Sequence, residues 1–124
     1  ILTLKYFSSL LAPGNSIYAK LSARVGSISD NQKGGWYGYR ASKAALNMLL
    51  QTAAIELQRK NPHTSVVALQ PGTVRSKLSE PFTNAVPHLL EPEQSVAGML
   101  KTLRNVKTKH GAQFLDYKGE SITW

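Results

Sequence analysis

Leu2, Tyr6 and Leu10 recur at helical spacing, and so do Leu4, Phe7 and Leu11 beside them. This predicts a helix over 2–11, which Pro13 and Gly14 end in a turn. Over 16–22 the period changes: Ile17, Ala19 and Leu21 alternate with Tyr18, Lys20 and Ser22, the mark of a strand. Residues 23–35 are rich in Gly, Ser, Asn and Asp and read as loop. From Trp36 to Arg59 a long helix is predicted, apolar on most of its surface through Ala41, Ala44, Leu46, Met48, Leu50 and Ala54. Such a helix is expected to be buried on more than one side. SVVALQ, 65–70, is a nearly continuous apolar run, as in a parallel strand covered on both faces. A long Pro-rich connection follows, of a kind that is usually functional or disordered. An amphipathic helix is predicted from Glu93 to Val106, with Pro92 near its start, and a last strand from Gln113 to Tyr117.

Helix, strand, helix, strand, long loop, helix, strand is the order of an α/β fold with a parallel sheet and right-handed crossovers. Three strands make a thin sheet. The first helix also begins in mid-pattern and without a methionine, so the chain is expected to be part of a longer protein.

Composition narrows the class. The 124 residues are 42% hydrophobic and 18% charged, ordinary globular material. Cysteine is absent, which excludes a disulfide framework and a thiolate metal site and fits a reducing, cytoplasmic setting. His63, His88 and His110 fall in different elements, so no metal site is expected. No stretch approaches the roughly 20 apolar residues of a membrane span, and no membrane partner is expected. The net charge of +8 is scattered except between Lys101 and His110. That cluster reads as a solvated helix end. No aromatic residue interleaves with it, so nucleic acid is not an expected partner.

The candidate chemistry follows from topology. In open α/β sheets ligands bind beyond the carboxyl ends of the strands. The loop after 16–22, the start of the helix at 36 and the turn after 65–70 should therefore converge. They bring Ser22, Ser27 and Ser29; Tyr39 and Lys43; Thr73 and Ser76. Tyr39 and Lys43 are four residues apart and share a helix face. A free phenol is a poor acid or base at neutral pH, but a nearby ammonium and a helix N-terminus both favour its anion. The set suits proton transfer at an oxygen while hydride moves at the attached carbon. The spacing alone also fits a packed tyrosine and a solvated lysine.

SARVGSISDN, GGWYGYRASKAALN, QPGTV and DYKGESITW, in that order, closely resemble the short-chain dehydrogenase/reductase family. The resemblance is to the branch that holds the C-factor signalling protein and the sniffer-type carbonyl reductases, and it covers nearly the whole chain. It implies the C-terminal portion of a doubly wound Rossmann-type parallel sheet, with 1–124 as the catalytic half of one NAD(P)-binding domain. It also implies NAD or NADP as cofactor and a small-molecule carbonyl or alcohol substrate. By resemblance Tyr39 is the acid/base. Lys43 supports its ionisation and holds the nicotinamide ribose. Pro71 and Gly72 flank the nicotinamide, followed by Thr73; Val74 offers backbone groups to the carboxamide, and Ser76 binds the same end of the cofactor. The long loop covers the substrate, and Phe82, Val86, Leu89 and Leu90 in it hint at an apolar or aromatic carbonyl. The alanines of the helix over 36–59 make it the expected contact of a homo-oligomer.

The chain departs from the family pattern in two respects. The usual Ser-Ser pair at the strand end reads Ser22-Ala23, so the catalytic serine position holds Ala23. Ser27, Ser22, Ser29 or no serine at all are the alternatives. The Gly-rich dinucleotide fingerprint, the residue that selects the adenosine ribose and the family's active-site Asn are all absent. The chain alone is therefore expected to bind NAD(P) poorly. The alternative function is cell–cell signalling or interaction on the same scaffold, with vestigial activity.

Overall fold

A computed structural model describes residues 1–84 and 86–124, and the backbone but not the side chain of Phe82. The elements in chain order are α1 (Leu2–Phe7), β1 (Ser16–Leu21), α2 (Tyr37–Lys60), β2 (Thr64–Gln70), α3 (Pro92–Asn105) and β3 (Ala112–Asp116). Short 3-10 turns follow α1 at Ser8–Leu10 and β1 at Arg24–Gly26. The strands form one parallel sheet in the order β1-β2-β3, with Ala19 opposite Val67 and Leu69 opposite Leu115.

β2 is central, and side-chain alternation splits it between two cores. Val66 and Ala68 face Leu50 and Ala54 of α2, together with Tyr18, Phe114 and Ile122. Val67 and Leu69 face Met99 and Leu103 of α3. Both faces are thus covered, which is why the strand reads as one apolar run. The sheet is doubly wound.

Helices on opposite faces of strands laid down in one direction require crossovers of opposite hand. The expectation of right-handed crossovers therefore fails for one of the two. The usual preference arises because a twisted strand feeds its helix closely. Here residues 71–91 intervene between β2 and α3, and so long a connection loosens that constraint.

Within this chain α2 is covered on one side. One face packs on the sheet, while Ala41, Ala45, Met48 and Leu49 are exposed. α1 lies on the same side. Leu4 and Leu11 join the core, but Tyr6, Phe7 and Leu10 do not. On the α3 side of β1 only Ala19 is packed, and Ile17 and Leu21 are exposed.

The ends of the elements are fastened by side chains. Asn61 follows α2 and donates to the Gly14 carbonyl at 2.7 Å. Gln58 donates to Lys109 O and accepts from Gly111 N, and so tethers α2 to the start of β3. Pro92 opens α3, and Gln94 accepts a bond from the Glu91 amide. After β3 the chain turns back, Ser121 bridging antiparallel to Leu115, and Trp124 stacks on Phe114 at 5.2 Å.

Candidate active site at the carboxyl edge of the sheet

Parallel strands deliver their following loops to one edge. At that edge the Ser22 amide bonds Leu69 O, extending the β1–β2 pairing by one residue. Ala23 is buried and extended, and the 3-10 turn then folds against α2. The approach is close. A Cβ at Gly26 would stand 2.8 Å from both the carbonyl carbon and the Cβ of Lys43. Only glycine lets the turn and the helix meet there.

Gly34, Gly35 and Trp36 all have positive φ, and Trp36, at 52°, is the non-glycine case. Left-handed backbone is unfavourable for a tryptophan. Arg40 compensates by gathering the loop. Its guanidinium donates to Gly35 O at 3.0 Å, Gly34 O at 3.2 Å and Val25 O at 3.3 Å. The loop and the first turn of α2 are thereby one unit, and Tyr39 sits on it.

Tyr39 is half exposed, and its hydroxyl makes no hydrogen bond among the described residues. Its ring is 6.4 Å from that of Trp36. The Lys43 ammonium lies 6.0 Å from the Tyr39 ring centroid and donates to Leu21 O at 3.1 Å. The last carbonyl of β1 therefore fixes the lysine at the edge, beside the tyrosine.

The serines are differently placed. Ser22 is buried and donates to Asn47 Oδ1 at 2.6 Å; Asn47 donates in turn to Gly26 O at 3.4 Å. Ser27 is also buried, and its hydroxyl oxygen accepts from the Asp30 amide at 3.0 Å. Ser29 donates to Trp124 O of the carboxyl-terminal tail at 2.7 Å, and its hydroxyl is also 2.7 Å from Thr123 Oγ1. Among the described residues no hydrogen bond joins any of them to Tyr39 or Lys43.

The turn after β2 is held from α3: buried Ser95 donates to Pro71 O at 2.6 Å. Gly72 has φ 81°, and a Cβ there would meet Leu90 at 2.6 Å. Thr73 O accepts from Leu90 N and Arg75 N donates to Leu90 O. This clamps the two ends of the long connection, with the Arg75–Glu91 ion pair at 2.8 Å alongside. Those bonds leave the Val74 amide without a partner among the described residues. Ser76 is occupied in its own turn, where its hydroxyl and that of Ser79 are 3.2 Å apart. In the long connection Val86, Leu89 and Leu90 are half-buried, and the side chain of Phe82 lies outside the described residues.

The sequence argument missed Arg40, Asn47 and Ser95. Asn47 had a visible signal, a lone amide in an apolar helix four residues beyond Lys43. Arg40 and Ser95 act on backbone carbonyls, which carry no sequence signature.

Comparison with known proteins agrees with this fold. Residues 24–86 match the family described as short chain dehydrogenase. C-signal of Myxococcus xanthus is 35% identical over 106 residues, 86% of this chain and 60% of that protein. A Burkholderia multivorans protein described as a short-chain dehydrogenase/reductase, solved with NADP bound, superposes with a TM-score of 0.81. It is 29% identical over 98% of this chain and 49% of its own. The carbonyl reductase Sniffer of D. melanogaster gives 0.77 at 26% identity, over 98% of this chain and 47% of its own. The chain thus spans about half to three-fifths of the length of these relatives.

Proposed function

The chain belongs to the short-chain dehydrogenase family, and from that premise we propose that the protein containing it is an NAD(P)-dependent oxidoreductase acting on a carbonyl or alcohol. The remaining length of that protein then supplies the dinucleotide-binding half, and 1–124 the catalytic half. The observation that carries the proposal is the exposed, unpartnered Tyr39 hydroxyl beside a Lys43 ammonium anchored on Leu21 O.

The residues present fit a nicotinamide cofactor. The Val74 amide, without a partner among the described residues, is a donor for a carboxamide, and Lys43 is a donor for ribose hydroxyls. Pro71, Gly72 and Thr73 shape the turn beneath it. Ser76 is held in its own turn, its hydroxyl against that of Ser79, its amide on Ser79 Oγ and its carbonyl on the Ser79 and Glu80 amides, so binding the cofactor through its hydroxyl requires that turn to open. The bound nicotinamide supplies or accepts the hydride. Tyr39 gives a proton to the carbonyl oxygen as it takes on negative charge, or takes one from the alcohol in reverse. Lys43 stabilises the resulting phenolate. In this proposal Ser22 and Ser27 hold the loop, and no serine contacts the substrate. NADP, present in the Burkholderia relative, is the first cofactor to try.

The test uses the full-length protein with NADPH or NADH and a panel of aldehydes, ketones and quinones, read by nicotinamide absorbance. Tyr39→Phe is expected to lower kcat by roughly 10²–10⁴. Turnover at the full rate after that change refutes the assignment.

A second proposal has its own observation. Ala23 stands at the strand end with no hydroxyl, and oxyanion donors in comparable sites contribute about 3–4 kcal/mol. With C-signal among the relatives, a signalling role with weak residual turnover is the alternative. Cofactor binding without turnover of any carbonyl favours it. Under either proposal the exposed apolar face of α2, with Met48 and Leu49, together with Tyr6, Phe7 and Leu10 of the α1 region, is the contact of a homo-oligomer.

A further inference from the structure

The buried residues of α2 are Asn47, Leu50, Ala53 and Ala54, and none from Tyr37 to Leu46 is buried. The turn that carries Tyr39 therefore takes its position from individual contacts, not from core packing. The run before it does not specify its own shape. Gly34 and Gly35 adopt left- and right-handed backbone about equally well, and Trp36, at φ 52°, lies where a tryptophan is unfavourable. Contacts from outside the run must select this conformation. Asn31 Oδ1 accepts from the Gly34 amide at 3.0 Å. The other contacts come from Arg40.

A cation in the first turn of a helix opposes the macrodipole. That turn holds no acidic residue, and among the described residues Arg40 is in no ion pair. Its charge is directed instead at backbone. Nε bonds Gly35 O, Nη2 bonds Gly34 O and Nη1 bonds Val25 O. Val25 adjoins Gly26, which rests against the Lys43 backbone, and Gly35 leads through Trp36 into the turn of Tyr39. One guanidinium thus joins the wall beside Lys43 to the entry of Tyr39. Lysine, with a single nitrogen, cannot span three such carbonyls.

We infer that Arg40 is a positioning residue, a role that rests on the oxidoreductase reading. Its fork fixes the backbone from Gly34 to Trp36, and through it the place of the Tyr39 hydroxyl against the substrate oxygen. A misplacement of about 1 Å in such a group lowers the rate by about 10²-fold.

The test uses the full-length protein, with active sites counted by NAD(P)H fluorescence titration so that misfolded molecules drop out. Arg40→Ala is expected to lower kcat per site at least about tenfold, with the cofactor dissociation constant within about twofold, because the turn after β2 is held from α3. Arg40→Lys, which keeps the charge and loses the fork, is expected to lower kcat per site at least about threefold, and it decides the matter alone if Arg40→Ala does not fold. Lys33→Ala removes an exposed cation from the same loop and is expected to leave kcat within about twofold. Full kcat per site in either Arg40 variant overturns the inference. So does a loss in Lys33→Ala equal to that in Arg40→Ala, which would make the effect one of net charge. No turnover of any carbonyl by the unaltered protein defeats the oxidoreductase reading and this role with it, whereas turnover indifferent to Arg40 defeats this role alone.

Discussion

Ser22→Ala separates a structural hydroxyl from a catalytic one. Ser22 and Asn47 are 3% and 4% exposed, so water cannot enter to replace a lost bond. Removing the Ser22 hydroxyl leaves Asn47 Oδ1 without its 2.6 Å donor, at a cost of about 1–3 kcal/mol. Asn47→Ala costs more. It strands the Ser22 hydroxyl, loses the 3.4 Å bond to Gly26 O and leaves a small cavity. The double variant breaks the same bond only once. Its cost is expected to fall short of the sum of the singles by about 1–2 kcal/mol. Urea unfolding of the full-length protein and its variants measures all three.

Turnover supplies the second readout. With its hydroxyl turned inward to Asn47, Ser22 has no contact with substrate in the proposed function. Ser22→Ala is therefore expected to keep kcat within about twofold, less than about 0.5 kcal/mol at the barrier. A coupling below about 0.3 kcal/mol would mean that the Ser22–Asn47 bond contributes nothing. A fall in kcat of about a hundredfold, near 2.7 kcal/mol, with stability intact would return Ser22 to the substrate.

Gly26→Ala places a methyl 2.8 Å from backbone and Cβ atoms of Lys43 that cannot move aside. A stability loss of about 1–3 kcal/mol and a fall in turnover are expected, whereas Gly38→Ala, with open space around it, should be neutral or stabilising. Met48 is 67% exposed on the outer face of α2; Met48→Asp is expected to shift the protein to monomer in sedimentation velocity without altering its circular dichroism, and an unchanged oligomer rejects that face as the contact.

The sequence made legible what local spacing determines. Tyr39 and Lys43 share a face because four residues of helix put them there, and nothing distant is needed. β2 read correctly because both of its faces are covered, a property of the strand itself. The limits have equally physical causes. The helix α2 is apolar nearly all round, so its pattern could not say which side is covered, and Met48 and Leu49 prove exposed. Without the side of each helix, the general preference for right-handed crossovers stood in its place, and it failed for one of the two. The surroundings of the three candidate serines were not legible because their partners are remote or unremarkable in sequence. Ser22 depends on Asn47, and Ser29 on a tail that arrives from the far end of the chain.

The opposite-handed crossovers have a functional consequence. With α2 and α3 on opposite faces, the Tyr39–Lys43 pair stands on the α2 side of the carboxyl edge, while the turn after β2 is held from the α3 side. Ser95 of α3 holds the Pro71 carbonyl at 2.6 Å, and Gly98 of the same helix packs so closely on Tyr117 that a Cβ would meet its carbonyl oxygen at 2.6 Å. Under the proposed function, the acid/base and the turn beside the nicotinamide are therefore built on different helices. A change that loosens α3 is then expected to weaken cofactor binding before it disturbs the Tyr39–Lys43 pair, which is built on α2 and β1.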